Sequence, residues 1–295
     1  MTASAFAPAK VNLYLHVGPL GPDGFHPLET LMVFADLGDE VFLASGSNPT
    51  FTVTGPFAVG LGEGDNLVTR AADLLASRLG RACGMEGLRL DKRLPVAAGL
   101  GGGSADAAAA LRLLNRAWGA GLDAASLEAL AAQLGSDVPA CIQSLPVTAS
   151  GRGEVLRPAP RLPVLHAVLV NPGVACPTGA VYRAFDLSAA REAPEPVDDP
   201  VGLPDAPAVA GWLSGLRNDL EGPALAVAPD IARVLDRLRG APETLLARLS
   251  GSGATSFALC ADAGAAGRLA AGLSREHPGW WVRTCRLGAP LPGGG

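Results

Sequence analysis

Lysine is almost missing from this chain of 295 residues: of 23 basic side chains, only Lys10 and Lys92 are lysines. Both can be checked by eye against lysine-dependent motifs. A Walker phosphate loop needs Gly-Lys-Ser/Thr, but Lys10 follows Ala9 and Lys92 follows Asp91, which excludes it. Cysteine is sparse too. The five present (Cys83, Cys141, Cys176, Cys260, Cys285) are odd in number, widely spaced and form no C-x-x-C pair, so no disulfide framework is indicated. They are expected as small buried hydrophobes in a reducing compartment. Excess positive charge is also lacking, for the net charge is −5, which argues against a nucleic-acid partner needing a basic face. No apolar run approaches the ~18 residues of a membrane span, and MTASAFAPAK lacks the apolar centre of a signal peptide. The expectation is a cytoplasmic protein with no membrane partner.

What is present is apolar residue, 48% of the chain. A chain this long buries roughly three-quarters of its surface, enough for two cores. Residues 9–17, AKVNLYLHV, alternate strictly and predict a strand with Lys10, Asn12, Tyr14 and His16 on one face. The runs LETLMVFAD, EVFLAS and TFTVT read as further strands, and 66–79 as a helix capped by Asp65 or Asn66. Strand GLRLDKR leads into a glycine cluster, after which a helix is expected from Ser104 to about Trp118. A second helix over 123–134 should stop at Gly135. The prolines of RPAPRLP, 157–163, break helix and strand alike and suggest a boundary. Beyond it the pattern alternates: strand VLHAVLV, a proline-rich loop over 188–207, helices near 224–239 and 242–249, strand TSFALCA, helix 263–276 and strand WWVRTC. This organisation is read as two α+β domains, 1–157 and 158–295.

The segment Pro95–Asn115, PVAAGLGGGSADAAAALRLLN, is the most informative. A strand enters, four glycines fall within five positions (Gly99, Gly101, Gly102, Gly103), and a helix leaves. Glycine lets the backbone turn tightly and puts no Cβ between its N–H groups and a ligand. The following helix adds free N–H donors and a positive dipole end, which suits phosphate. The Rossmann pattern fails, because Ser104 stands where its last glycine belongs. Protein-kinase signatures, a G-x-S-x-G elbow and an H-E-x-x-H pair are absent.

The run PVAAGLGGGSADAAA resembles the ATP-binding motif of the GHMP kinases, P-x-x-x-G-L-G-S/G-S/G-S/A. Two further elements of that superfamily stand in the same order, APAKVNLYLHV before it and SGSGATSFAL (250–259) after it. PDGFH, GSDVP (135–139), NPGVACPT (171–178) and Asn218-Asp219-Leu220 are similar to the branch acting on 4-diphosphocytidyl-2-C-methyl-D-erythritol. The resemblance implies a two-domain fold: an N-terminal ribosomal-protein-like βαβ domain with the glycine loop, and a C-terminal ferredoxin-like domain. It implies ATP-dependent phosphorylation of the 2-hydroxyl in non-mevalonate isoprenoid synthesis, in a cleft between the domains.

Residue by residue, the resemblance makes Asp137 the general base and Lys10 its partner at the transferring phosphate. Read as residues alone, Asp137 is a helix N-cap and Lys10 a solvated strand lysine. ATP is expected on Pro95, Val96, Ala97, Ala98, Gly99, Leu100, Gly101, Gly102, Gly103, Ser104 and Ala105, with Ser104 near the β- and γ-phosphates or Mg²⁺. Asn66 resembles an adenine contact, though capping explains it nearly as well. Lys92 reads better as a solvated strand-end lysine than as a nucleoside contact. The acceptor is assigned to Asn12, Phe25, His26, Thr178 and Tyr182, with Phe25 and Tyr182 at the faces of cytosine and His26 at its edge. Phe25 stands where tyrosine is commoner, and Tyr182 reads equally as helix packing. Mg²⁺ is expected with ATP, but no carboxylate cluster announces ligands. A monomer or weak homodimer is expected. Two other readings stand beside this one: a GHMP kinase for homoserine or a sugar, and an idle nucleotide-binding protein.

Overall fold

The computed structural model describes residues 3–44, 51–61, 66–81, 87–188, 192–200 and 202–291. The capping candidate Asp65 and Cys83 lie outside the described residues, as does part of the 188–207 loop. The first half is built on one long strand. LETLMVFAD and EVFLAS, read as two strands, form a single β2 (Leu28–Ala44) antiparallel to β1 (Ser4–Val17). The other edge of β2 carries β4 (Gly87–Asp91) at one end and β5 (Val147–Gly151) at the other. β3 (Phe51–Thr54) adds parallel to β4, and β6 (Val155–Pro158) adds antiparallel to β5.

Between β4 and β5 run α2 (Gly102–Ala117), α3 (Ala124–Ala131) and α4 (Val138–Gln143), completing the β–α–β unit. α1 (Leu67–Arg78) packs on α2, with Val68, Ala71 and Leu75 in the core. α2 begins two residues before the expected Ser104, because Gly101 takes a left-handed conformation, φ +61°, that ends the loop and starts the helix. Ala105 and Ala107–Ala110 are fully buried, since alanines let a helix lie close against a sheet.

The second half repeats the β–α–β–β–α–β succession of a ferredoxin-like domain. Strands β7 (Leu165–Asn171), β8 (Thr244–Leu249), β9 (Ser256–Cys260) and β10 (Trp281–Leu287) lie in the order β10-β7-β9-β8, all antiparallel. The helices are α5 (Thr178–Asp186), α6 (Ala206–Ser214), α7 (Glu221–Val227), α8 (Asp230–Arg239) and α9 (Ala263–Glu276). The helix expected over 242–249 is instead the edge strand β8. Its Leu and Ala propensities are overridden by ladder bonds to β9 and by Ala247 and Leu249 packing inward.

Residues 159–164 link the two sheets, and we propose the domain division there. The halves still share material: β1 contributes Ala9, Val11 and Leu13 to a core with Leu165 and Leu259, and Leu287 of β10 pairs with Ala35 of β2. The four described cysteines are free and buried. Among the described residues no helix is long and apolar enough to cross a membrane.

Candidate active site

Strict alternation along β1 would put Tyr14 beside Lys10 and Asn12. A bulge between Asn12 and Tyr14 shifts the register, so Leu13 and Tyr14 both enter the core and Leu15 lines the pocket instead. Lys10 and Asn12 remain on the pocket side. Lys10 is buried, and its Nζ donates to Asp137 Oδ2 at 2.6 Å. Asp137 precedes α4, but its side chain makes no capping bond there. The carboxylate is spent on Lys10, which sets aside the cap reading.

The pocket has a volume of about 430 Å³ and takes its walls from both halves of the chain. Lys10, Asn12, Asn66, Asp137, Thr178 and Tyr182 line it, as do Pro95, Val96, Ala97, Ala98, Gly99, Gly101, Gly102, Gly103 and Ser104. Two residues expected on ATP do not. Leu100 is buried in the core, and Ala105 faces the core from the first turn of α2 while its N–H donates to the Gly101 carbonyl. The backbone of an established helix turn has no donor to spare for phosphate there. Asn66 serves both readings, lining the pocket while its Oδ1 caps α1 at the Val68 N–H, 2.8 Å.

The loop is held from two sides. Lys10 N–H donates to the Leu100 carbonyl at 2.8 Å. From the distal SGSGAT segment, Ser250 Oγ donates to the Gly99 carbonyl at 2.9 Å and Thr255 N–H to the Ala98 carbonyl at 3.0 Å. Asn218 in turn ties that segment down, donating to the Leu249 and Gly251 carbonyls at 2.9 and 2.8 Å. Asp219 Oδ2 accepts from Val17 N–H, which pins the end of β1 beside them. These bonds give the distal motif and the Asn218-Asp219-Leu220 element a physical role. Asn12 donates to Thr30 Oγ1 at 2.8 Å and leaves its Oδ1 buried with no partner.

Thr178 and Tyr182 sit one turn apart on α5. The Thr178 and Ser252 hydroxyls are 2.9 Å apart, and burial, then the Asp137 charge, pushes the Tyr182 phenol up to about 12. The Tyr182 ring faces His26 at 5.0 Å, carrying the surface out of the pocket toward Phe25. His26 Nδ1 donates to the Gly18 carbonyl, and its Nε2 lies 3.3 Å from Asp186. Phe25 is 52% exposed and lies outside the pocket wall, with the Arg152 guanidinium 4.4 Å over its ring. Arg152 also pairs with Asp23 at 2.5 Å, and Asp23 Oδ1 accepts from Phe25 N–H. Arg152, without a role in the sequence, thus braces the Phe25 turn.

Lys92 corrects the sequence reading outright. It is not solvated but buried, donating to Asp39 Oδ2 at 2.5 Å and Asp106 Oδ2 at 2.6 Å beneath the loop. Burial alone would pull the Lys92 ammonium down, yet Asp106 and Asp39 outweigh it and hold it above the usual lysine value. Burial pushes the Asp106 carboxyl up to about 8 against the pull of Lys92. Asp39, Asp106 and the pocket residues Gly251 and Ser252 were missed. A lone acid inside an alanine helix was the available signal, since a buried charge needs a partner. Among the described residues no group of three or more His, Cys, Asp or Glu side chains could hold a metal. The expected Mg²⁺ therefore has no cage built by these residues.

Comparisons with known proteins give the family. Residues 66–144 match the GHMP kinases N terminal domain and residues 206–279 the GHMP kinases C terminal domain. A 4-diphosphocytidyl-2-C-methyl-D-erythritol kinase of Caulobacter sp. (strain K31) is 55% identical over 99% of this chain and 100% of its own length. One from Caulobacter vibrioides (strain NA1000 / CB15N) is 53% identical over 97% of this chain and all of its own. A crystal structure of 4-(cytidine 5'-diphospho)-2C-methyl-D-erythritol kinase superposes with a TM-score of 0.75 at 35% identity, covering 97% of this chain and 100% of that one. With both domains matched and relatives this close end to end, the chain belongs to the GHMP kinases and, within them, to the 4-diphosphocytidyl-2-C-methyl-D-erythritol kinase family.

Proposed function

We propose that this chain transfers the γ-phosphoryl group of ATP to the 2-hydroxyl of 4-diphosphocytidyl-2-C-methyl-D-erythritol, giving the 2-phosphate and ADP in the non-mevalonate route to isoprenoid precursors. The observation that carries it is the Lys10–Asp137 pair, 2.6 Å apart, at the glycine loop of a pocket between the two halves. The nucleotide triphosphate rests on residues 95–104, where the loop backbone and the start of α2 offer N–H groups and a positive dipole end. The acceptor hydroxyl meets Asp137, which takes its proton as the oxygen attacks phosphorus and ADP leaves. Lys10 holds Asp137 in place and balances charge on the transferring group. Such transfers need little covalent help, so positioning and electrostatics supply most of the acceleration. Mg²⁺ accompanies the nucleotide and would be held mainly by its phosphates and water.

The acceptor lies along Asn12, Thr178 and Tyr182 toward His26 and Phe25, where an exposed aromatic ring suits stacking of the cytosine. The open Oδ1 of Asn12 fits a hydroxyl donor of the methylerythritol moiety. An ADP-release assay with ATP and the cytidyl substrate tests the reading. Turnover with that substrate, and none with homoserine or a simple sugar, is expected; the reverse pattern overturns it.

A further inference from the structure

Beneath the phosphate loop two carboxyl groups share one ammonium. Lys92 Nζ donates to Asp39 Oδ2 and to Asp106 Oδ2, and all three side chains are buried. Their remaining oxygens differ. Asp39 Oδ1 accepts from Arg93 N–H at 2.6 Å and from Leu94 N–H at 2.8 Å, so both Asp39 oxygens are committed as acceptors. Asp106 Oδ1 is buried and has no partner. With both acids ionised, the cluster would carry one net negative charge beneath a loop that must hold a triphosphate. A bare carboxylate oxygen in the interior is costly; one proton cancels the net charge and leaves a neutral carboxyl, which costs less to bury unpaired than an ionised one.

We propose that Asp106 is held as a neutral acid, with its proton on Oδ1, and that its ionisation weakens nucleotide binding at the phosphate loop. This rests on the reading that residues 95–104 hold the phosphates of ATP. The cluster is then Lys92⁺, Asp39⁻ and a neutral Asp106, with no net charge to oppose the dipole of α2 or the charge of Lys10. The cluster lies directly against the loop: a Cβ at Gly102 would lie 2.9 Å from Lys92 Nζ, and Lys92 lines the pocket. Asp106 itself lines the pocket. Burial raises its carboxyl to about 8, within reach of ordinary alkaline buffers.

The surroundings offer few competing groups. α1 and α3 face α2 with Val68, Ala71, Leu75, Leu127 and Leu130, all apolar. From α4 comes Cys141, whose thiol burial pushes up to about 12, and beside it Asp137, paired with Lys10 of β1. By linkage, a nucleotide that binds better to the protonated form must draw in a proton when it binds at alkaline pH.

The probe is ADP, titrated calorimetrically into the full chain between about pH 7 and pH 9.5 in buffers of differing ionisation enthalpy. Wild-type affinity should fall on the order of tenfold across that range, with net proton uptake on its alkaline side. A protonated-carboxyl infrared band should fade over the same interval. In Asp106→Asn, which cannot ionise, the affinity should no longer change with pH, and both the proton uptake and the band should be lost. Affinity that stays flat in the wild type, or a fall that persists in Asp106→Asn, overturns the proposal. Should that variant not fold, absence of proton uptake and of the band in the wild type overturns it alone. ADP that fails to bind at any pH refutes the underlying phosphate-loop reading instead.

Discussion

Ser250 and Gly99 join the two halves of the chain at the phosphate loop. Ser250 Oγ donates to the Gly99 carbonyl at 2.9 Å, and Gly99 stands at φ +73°. A Cβ at Gly99 would run into the Ser250 carbonyl oxygen and lie 2.8 Å from the Gly253 nitrogen, both backbone atoms that cannot rotate away. Gly99→Ala should therefore cost at least about 1–3 kcal/mol of backbone strain and push the SGSGAT segment off the loop. Thermal unfolding should show a lowered midpoint, and ATP binding should weaken more than in Ser250→Ala, which loses two hydrogen bonds, to the Gly99 carbonyl and from the Asn12 N–H, without backbone strain. Equal and small effects in both variants would mean that the contact is incidental.

Asp137 offers a separation of chemistry from stability. Its side chain makes no capping bond to α4 and touches Lys10 instead. Asp137→Ala should lower kcat by about 10²–10⁴-fold, with ADP affinity nearly kept. The midpoint should also fall, because buried Lys10 loses its partner, and adding Lys10→Met should recover the midpoint without the activity. Stopped-assay kinetics and thermal melts decide it together: more than a tenth of the activity left in Asp137→Ala would overturn the general-base role.

The sequence shows the loop and its partners because they rest on local rules. Glycines before an alanine helix, an alternating strand carrying Lys10 and Asn12, and Asp137 ahead of Pro139 are all legible within a few residues. What it hides depends on distant contacts. Nothing near 242–249 betrays that this leucine-rich run completes a sheet edge by pairing with β9. The bulge after Asn12 shows only when β1 meets β2, and it decides that Leu15 rather than Tyr14 reaches the pocket. Lys92 reads as a surface lysine because both its acids are distant in sequence, Asp39 by 53 positions and Asp106 by 14. β6 and α6 were not anticipated either, the first hidden by Pro158 and the second by the proline-rich run before it.

Phe25 and Arg152 bear on the acceptor alone. The ring is half exposed, braced on one face by the guanidinium and free to meet a base on the other. Phe25→Ala should raise KM for the cytidyl substrate by the equivalent of about 1–3 kcal/mol and spare KM for ATP. Arg152→Ala should act in the same direction but less, since it removes the brace and keeps the ring. Steady-state kinetics with each substrate varied in turn checks both. A matching rise in KM for ATP would point to collapse of the whole turn instead.

Two glycines that line the same pocket should respond in opposite ways. Gly101 sits at φ +61°, and a Cβ there would press on Lys10 Cβ and Cε, each at 3.1 Å. Gly103 has no such φ, and its Cβ would meet only Leu67 Cδ1 at 3.6 Å, an ordinary contact. Gly101→Val should thus strain the start of α2 and displace the lysine that holds Asp137. ATP affinity and kcat should both fall sharply, while binding of the cytidyl substrate along Phe25, His26 and Tyr182 persists. Gly103→Ala should keep ATP affinity within a few-fold of the wild type, because helical φ and open space accept a methyl group. The stabilisation gained from saturating ATP, which follows RT ln(1 + [L]/Kd), should shrink for Gly101→Val and survive for Gly103→Ala. Calorimetric titration and ligand-dependent melting curves measure it. If both variants bind ATP as the wild type does, the triphosphate does not lie on this loop, and the kinase reading loses its main physical support.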